Sequence, residues 1–427
     1  MNKKILKGTI AYTPTKDEFN IYEDSYIIIE DGKVAGIEKE LDDKYKDIEV
    51  EDYSGKLIIP GFVDLHLHAT QYPNRGLGLD KELIPWLETY TFPEESKYTD
   101  LEYAEKVFKK LINELWAVGS LRSVIFSSIH KESTKLLLDM FIQSGLSAYV
   151  GKVNMDRNSP EYLIEESNKS IEDTEEILME YIGKSELVKP ILTPRFAPTC
   201  SDDLLKRLGE FPGKYKVAIQ SHLNENTSEI EWVRDLFPDS KDYASVYDDF
   251  NLFGQTNTIM AHCVHNTDKE IELMAEKGVY AAHCPYSNYN LSSGIMPVRK
   301  YLDKGVKVGF ASDISGGNNL SIPEVMCGAI QASKMTWLNS EKQLLPLTFN
   351  EGFFLATKGG GEFFGKVGSF EVGYEFDALI IDDSELADMN ELSIEERLQK
   401  YIYIGDDRNI EARYVSGEKI EKPFKTI

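Results

Sequence analysis

Cysteine is scarce in this sequence, and its four residues (Cys200, Cys263, Cys284 and Cys327) stand far apart. No two of them form a Cys-x-x-Cys pair, which excludes a zinc finger built on thiolates. Disulfides are not expected in a reducing cytoplasm either. All four cysteines are therefore predicted to be buried free thiols.

Positive charge and long apolar runs are also lacking. The 47 Lys and Arg residues face 72 Asp and Glu residues, and the formal net charge of -25 disfavours nucleic acid and anionic lipid as partners. No segment approaches the roughly 18 consecutive apolar residues of a membrane helix, and residues 1–12 lack the apolar core of a signal peptide. We expect a cytoplasmic protein without a membrane partner, and its acidic surface leaves a neutral small substrate unaffected.

Both ends of the chain are rich in strand patterns. Asp31-Gly32 separates two apolar runs, which is typical of a hairpin turn. Similar short runs occur near residues 372–382 and 413–417. Because neither end is long enough for a stable sheet of its own, residues 1–59 and 371–427 are predicted to build one composite domain, a small β-sandwich.

The middle of the chain, residues 60–370, alternates strand patterns with helix patterns. This alternation predicts an α/β fold, a (β/α)₈ barrel of the TIM type, in preference to a doubly wound sheet. The eight predicted strands lie near residues 62–65, 124–126, 148–150, 190–192, 217–221, 258–262, 279–283 and 308–312.

Polar residues stand at the ends of several predicted strands. His66 and His68 end the first strand, and side chains two residues apart on a strand face the same side. His222, His262 and Asp313 end the fifth, sixth and eighth strands. Barrel active sites are built at the carboxyl ends of the strands. Imidazoles with a carboxylate suit Zn²⁺ or Fe²⁺ and leave a position for water, so the pattern indicates a catalytic metal site.

Residues 60–68, Pro-Gly-Phe-Val-Asp-Leu-His-Leu-His, resemble the first signature of the amidohydrolase superfamily, and the later His, His and Asp follow in that family's order. The resemblance implies one Zn²⁺ per subunit, with Fe²⁺ as the alternative, held by His66, His68, His222 and Asp313. It places His262 beside the metal as a polarising or proton-handling group. Binuclear members carry a carboxylated lysine at the end of strand four. Here residues 192–195 contain none, which implies the mononuclear site of the deaminase branch.

Within that branch, residues 70–72, 86–88, 91–93, 193–196, 221–226 and 282–288 resemble the guanine deaminases. The resemblance implies hydrolysis of guanine to xanthine and ammonia in purine catabolism, by a homodimer. It implies Glu225 as a proton carrier that acts with His262 and Asp313. Substrate contacts are implied for Gln71, Trp86, Arg195, Phe196 and His222.

Three alternatives stay open at this point. Residues 119–122 and 263–265 depart from the guanine deaminase pattern, which leaves room for cytosine, 8-oxoguanine or an adenosine derivative as the substrate. A ring-opening amidohydrolase is the second alternative, and the missing lysine of strand four counts against it. The third is a non-catalytic scaffold, which is disfavoured because every implied metal ligand is retained.

Overall fold

A computed structural model describes residues 3–387 and 389–425. Residues 1, 2, 388, 426 and 427 belong to the predicted end domain and lie outside the described residues. The described strands are β1 (Lys3–Thr15), β2 (Glu18–Glu30), β3 (Lys33–Glu38), β4 (Val50–Pro60), β5 (Phe62–His68), β6 (Ser120–Phe126), β7 (Ser147–Gly151), β8 (Val153–Asn154), β9 (Val188–Pro190), β10 (Thr193–Pro194), β11 (Ile219–Leu223), β12 (Thr258–His262), β13 (Tyr280–His283), β14 (Lys307–Phe310), β15 (Ala378–Ile381), β16 (Ile410–Val415) and β17 (Glu418–Lys419).

The helices lie mainly between the strands of the middle region. Most are amphipathic: in the third, for example, Asp100 accepts hydrogen bonds from the first backbone N–H groups, and the apolar stripe is buried. The described α-helices are α1 (Leu83–Trp86), α2 (Phe92–Glu95), α3 (Leu101–Ala117), α4 (Lys131–Ser144), α5 (Ser167–Tyr181), α6 (Asp202–Leu208), α7 (Phe211–Tyr215), α8 (Thr227–Leu236), α9 (Tyr243–Asp249), α10 (Asp268–Lys277), α11 (Pro285–Asn290), α12 (Val298–Asp303), α13 (Ile322–Asn339), α14 (Phe349–Phe354) and α15 (Ile394–Ile404).

The two ends of the chain share one seven-stranded sheet. Its strand order is β17-β16-β15-β4-β1-β2-β3. Strand β4 connects the two ends, because it pairs in parallel with β1 and antiparallel with β15, where Ile59 lies opposite Leu379. Alternate residues such as Leu6, Ile10 and Ile58 are buried in a common apolar cluster. Both ends of the chain thus contribute strands to one sheet, while the composite domain and its sandwich form stay predictions.

The middle region contains two four-stranded parallel sheets, β5-β6-β7-β9 and β11-β12-β13-β14. Backbone hydrogen bonds join them at both edges. On one side Leu192 N donates to Ala218 O at 2.9 Å, and on the other Asp313 N donates to His66 O at 2.9 Å. The predicted alternation of eight strands with helices is present, and the carboxyl ends of the strands meet on one face.

The fourth strand of this series differs from the expectation for residues 190–192. It is interrupted, with β9 ending at Pro190 and β10 beginning at Thr193 and pairing with β8. Proline has no N–H to donate, so Pro190 and Pro194 weaken regular pairing along this strand. The interruption leaves Arg195 directly after the short β10, at the face where the strands end.

No helix among residues 3–387 and 389–425 is both long and apolar enough to span a lipid bilayer. All four cysteines are buried and unpaired, which confirms the prediction of free thiols.

An ion pair connects β6 with the end sheet. Arg122 Nη2 lies 3.1 Å from Asp377 Oδ1, and Arg122 Nε contacts Asp377 Oδ2. Both side chains are buried.

We expect Asp377→Ala to lower the free energy of unfolding by about 3–5 kcal/mol, because it leaves a buried guanidinium without its partner. Denaturant unfolding measures the change. Glu272→Ala, which breaks the exposed Lys304 pair, is the control and should cost at most about 1 kcal/mol. Equal effects of the two substitutions would contradict the expectation.

Candidate active site

The strand-end residues singled out in the sequence converge. His66 and His68 lie on β5, His222 on β11 and His262 at the end of β12, and Asp313 follows β14. All five side chains are buried. His262 and Asp313 have φ values of 72° and 44°, in the left-handed region that non-glycine residues seldom adopt. Such backbone strain at strand ends is typical of functional sites.

The distances between the side-chain donor atoms suit a shared metal ion. His68 Nε2 lies 3.1 Å from His222 Nε2, and His66 Nε2 lies 3.2 Å from Asp313 Oδ1. Two ligands about 2.0–2.1 Å from a tetrahedral zinc ion are separated by about 3.3 Å. Among the described residues, His66 Nε2 is buried without a hydrogen-bond partner, which leaves its lone pair for a cation. The donor set therefore fits the metal predicted from the sequence.

Burial keeps these imidazoles in the neutral form that binds metals. It lowers the pKa of His66, and it lowers the pKa values of His68 and His222 further. His222 Nδ1 donates to the backbone oxygen of Arg195 at 2.6 Å, so the lone pair of neutral His222 is on Nε2, which faces His68. Burial raises the pKa of Asp313, but His66, His262 and His68 together outweigh it and hold that pKa well below its usual range.

Asp64 is a buried residue for which no role was predicted from the sequence. Its Oδ1 accepts from Ser312 N at 3.0 Å and from His66 N at 3.2 Å, and its Oδ2 accepts from the Ser312 hydroxyl. Burial raises the pKa of Asp64 to about 6. These bonds tie β5 to the segment after β14, and so place His66 beside Asp313.

His262 is held in a different way from the other imidazoles. Its Nδ1 donates to Asn288 Oδ1 at 3.0 Å, which orients the ring with Nε2 towards the cluster. That Nε2 lies 3.4 Å from Glu225 and 3.8 Å from Asp313. His262 is also close enough to share a cation with His66 and His222, or with Cys284 and Asp313. Burial raises the pKa of the Cys284 thiol well above its usual range, which favours the neutral thiol over a thiolate ligand.

Glu225 stands beside this cluster, at the carboxyl end of β11. Burial raises its pKa well above the usual range, and the negative charge of Asp313 adds to the effect. Ser293 Oγ donates to Glu225 Oε1 at 3.4 Å. A carboxyl group held protonated next to a metal site is suited to give a proton to a ligand.

Four residues of the cluster line a pocket together with polar, apolar and aromatic side chains. Trp86 donates from its indole to Leu77 O, and α1 continues through a π-helical turn (Leu87–Thr91) into α2. Trp86 is one of the residues that line the pocket. The pocket is lined by His68, Gln71, Leu83, Trp86, Leu87, Arg195, Phe196, His222, Glu225, His262, Leu291 and Asp313.

One further buried side chain, Glu95 on α2, was missed in the sequence. It accepts a hydrogen bond from Gln71 Nε2 at 3.0 Å and one from Arg195 Nη1 at 2.5 Å. Glu95 thus joins two residues that the sequence predicted for substrate binding. Nothing in the local sequence distinguishes it from Glu94, and only the fold brings it to Arg195.

The remaining histidines lie outside the cluster of donor atoms. His265 Nε2 donates to Ser293 O at 2.6 Å. The His283 ring packs 6.2 Å from that of Phe310. His130 precedes α4, and burial lowers its pKa.

The model of the amidohydrolase family matches residues 57–420. The chain belongs to the amidohydrolase family. The guanine deaminase of Dictyostelium discoideum is 40% identical, with 98% of both chains covered. That of Homo sapiens is 36% identical, covering 99% of this chain and 97% of its own. The crystal structure of guanine deaminase from C. acetobutylicum, with guanine bound in the active site, is 51% identical with a TM-score of 0.97, over 98% of this chain and 100% of that one.

We expect the purified amidohydrolase to bind about one equivalent of a divalent metal, measured by elemental analysis. His222→Ala should weaken binding at least 10-fold, because even the loss of an outer partner of a ligand costs about 10–100-fold. His265→Ala removes an imidazole that contacts Ser293 and should retain the metal. Equal metal content in the two variants would contradict the ligand assignment.

Proposed function

We infer that this protein hydrolyses guanine to xanthine and ammonia. The observation that carries the inference is a buried cluster of imidazoles and a carboxylate at the floor of a pocket whose walls contain Gln71, Arg195 and Phe196. The guanine deaminases that match over nearly the whole chain support it. So does the related structure with guanine in its active site.

We propose that His66, His68, His222 and Asp313 hold one metal ion per subunit. The convergence of their donor atoms supports this set. When bound, a divalent cation would supply a hydroxide nucleophile at neutral pH, because it lowers the pKa of water to about 7. Zinc is our proposal for the ion, and Fe²⁺ accepts the same ligands.

The protein's own residues would move the protons. Asp313 accepts a proton from the attacking water, and the protonated Glu225 donates to a ring nitrogen next to C2 of guanine. A C2–O bond forms, and Asp313 passes its proton to the amino group. The C2–N bond then breaks and ammonia leaves. The proton left on the C2 hydroxyl returns to Glu225, and C2 becomes a carbonyl carbon. His262, 3.4 Å from Glu225 and held by Asn288, stabilises the charge that develops at the reacting oxygen.

The pocket wall would recognise the purine ring. Arg195 offers N–H donors to the acceptors O6 and N7. Gln71 contacts the same edge, and Phe196 lies against the ring, with Trp86 closing the pocket on another side. His222 belongs to the cluster of metal ligands and also lines the pocket. It would contact the substrate near C2.

The finer structural expectations belong to the same proposal. The eight parallel strands would form a closed (β/α)₈ barrel over residues 60–370, which the hydrogen bonds at both sheet edges support. Residues 1–59 and 371–427 would form the composite β domain, a β-sandwich. A homodimer in the cytoplasm, with no nucleic acid or membrane as a partner, completes the proposal.

The reaction is tested by mixing the metal-loaded protein with guanine, cytosine, adenine and 8-oxoguanine separately. We expect release of xanthine and ammonia from guanine, followed by absorbance and an ammonia assay, with far slower turnover of the other bases. Turnover of another base instead of guanine would contradict the proposed specificity but would still support a hydrolytic deaminase. No turnover of any base by metal-loaded protein would contradict the proposed function.

The role of Glu225 is tested by Glu225→Gln. We expect kcat for guanine to fall by about 10²–10⁴-fold, because the amide cannot supply the proton, while the metal content stays unchanged. The control is Glu231→Gln, an exposed carboxylate nearby on α8, which should leave kcat as it is. A Glu225→Gln enzyme with nearly wild-type kcat would exclude Glu225 as the proton donor.

A further inference from the structure

Glu95 occupies a position behind the pocket wall. Its side chain is 2% exposed, and it is not among the residues that line the pocket. Its two oxygens are divided between the pocket residues Gln71 and Arg195. One buried carboxylate therefore holds both polar side chains of that wall.

The chemistry of a carboxylate determines how the Gln71 amide is turned. A carboxylate only accepts hydrogen bonds, so the group that Gln71 gives to Glu95 must be its NH₂. The carbonyl oxygen Oε1 is then the amide atom that remains for a ligand. Arg195, which has only N–H donors, stands beside it. The wall presents one acceptor next to a set of donors.

We propose that Glu95 is a positioning residue that sets this hydrogen-bond polarity and thereby selects a 6-oxopurine. The proposal rests on the proposed function. In guanine the acceptor O6 is next to N1–H, a donor. Arg195 can donate to O6, and Gln71 Oε1 can accept from N1–H. A ring with a 6-amino group has the opposite order, because its N1 accepts and its amino group donates.

The effect of this hydrogen-bond polarity can be measured with a matched pair of substrates. Guanine and 2,6-diaminopurine carry the same 2-amino leaving group, and they differ only at N1 and C6. Hydrolysis at C2 forms a C–O bond, breaks the C–N bond and releases ammonia in both, giving xanthine from the first and 2-oxo-6-aminopurine from the second. The ratio of their kcat/KM values therefore measures recognition of the N1 and C6 edge.

Glu95→Gln changes the polarity without changing the size of the side chain. The new amide can accept from Arg195 and donate to Gln71 Oε1, which turns the Gln71 NH₂ towards the substrate. We expect the guanine-to-diaminopurine ratio to fall by about 10- to 100-fold, because the buried N1–H of guanine loses its acceptor and faces a second donor. Metal content and the dependence of activity on Glu225 should not change.

Glu94→Gln is the control. Glu94 is also buried and is the preceding residue, but it contacts Lys97 at 2.5 Å and the Tyr103 hydroxyl instead of the pocket residues. Its substitution should leave the ratio unchanged. A general loss of stability in this helix would lower both kcat/KM values together in either variant, and so would not imitate a change in selectivity.

Each outcome decides a different question. An unchanged ratio in folded Glu95→Gln protein would overturn the role of Glu95 while leaving guanine hydrolysis in place. Failure of the wild-type protein to hydrolyse guanine would instead overturn the proposed function. If Glu95→Gln does not fold, Glu95→Ala provides the test, because it removes the acceptor that orients the Gln71 amide. A ratio unchanged in Glu95→Ala would then overturn the proposal.

Discussion

The hydrogen bonds of Asp64 are the interaction on which the site depends. They join β5, the first parallel strand, to the residues after β14, the last. Through them, His66 and Asp313 come within 3.2 Å of each other although they are far apart in the chain. The other donor atoms are added from β11 and β12, which pair directly. The cluster is therefore a product of strand pairing, and it needs no long loop to position a ligand.

Burial acts on this cluster in two opposite directions. Removing water disfavours any charged form, so it lowers the pKa values of His68 and His222 and raises that of Glu225. Neutral imidazoles and a protonated carboxyl group are what a metal-dependent hydrolysis with a proton donor requires. Asp313 is the exception, because its contacts with the surrounding histidines outweigh burial and hold its pKa below the usual range. Burial in one pocket thus favours both the protonated form of Glu225 and the neutral forms of His68 and His222.

The sequence predicted the parts of the site that follow from strand periodicity. His66 and His68 stand two residues apart at a strand end, and His222, His262 and Asp313 end other strands, so their convergence could be expected from an alternating α/β pattern. Contacts that depend on how the helices pack could not be expected from that pattern. Glu95 and Glu94 look alike in sequence, and the interruption between β9 and β10 depends on pairing with β8. The roles of the predicted residues remain predictions for experiment.

The shared sheet of the two chain ends also has a consequence for synthesis on the ribosome. Strand β4 emerges early, but one of its edges is completed only by β15, whose residues are made after all the parallel strands. Until then the apolar stretch from Leu57 to Ile59 has an unpaired edge that can pair with another chain. Docking of the last strands must therefore be a late event of folding, and nascent chains are most prone to aggregate before it.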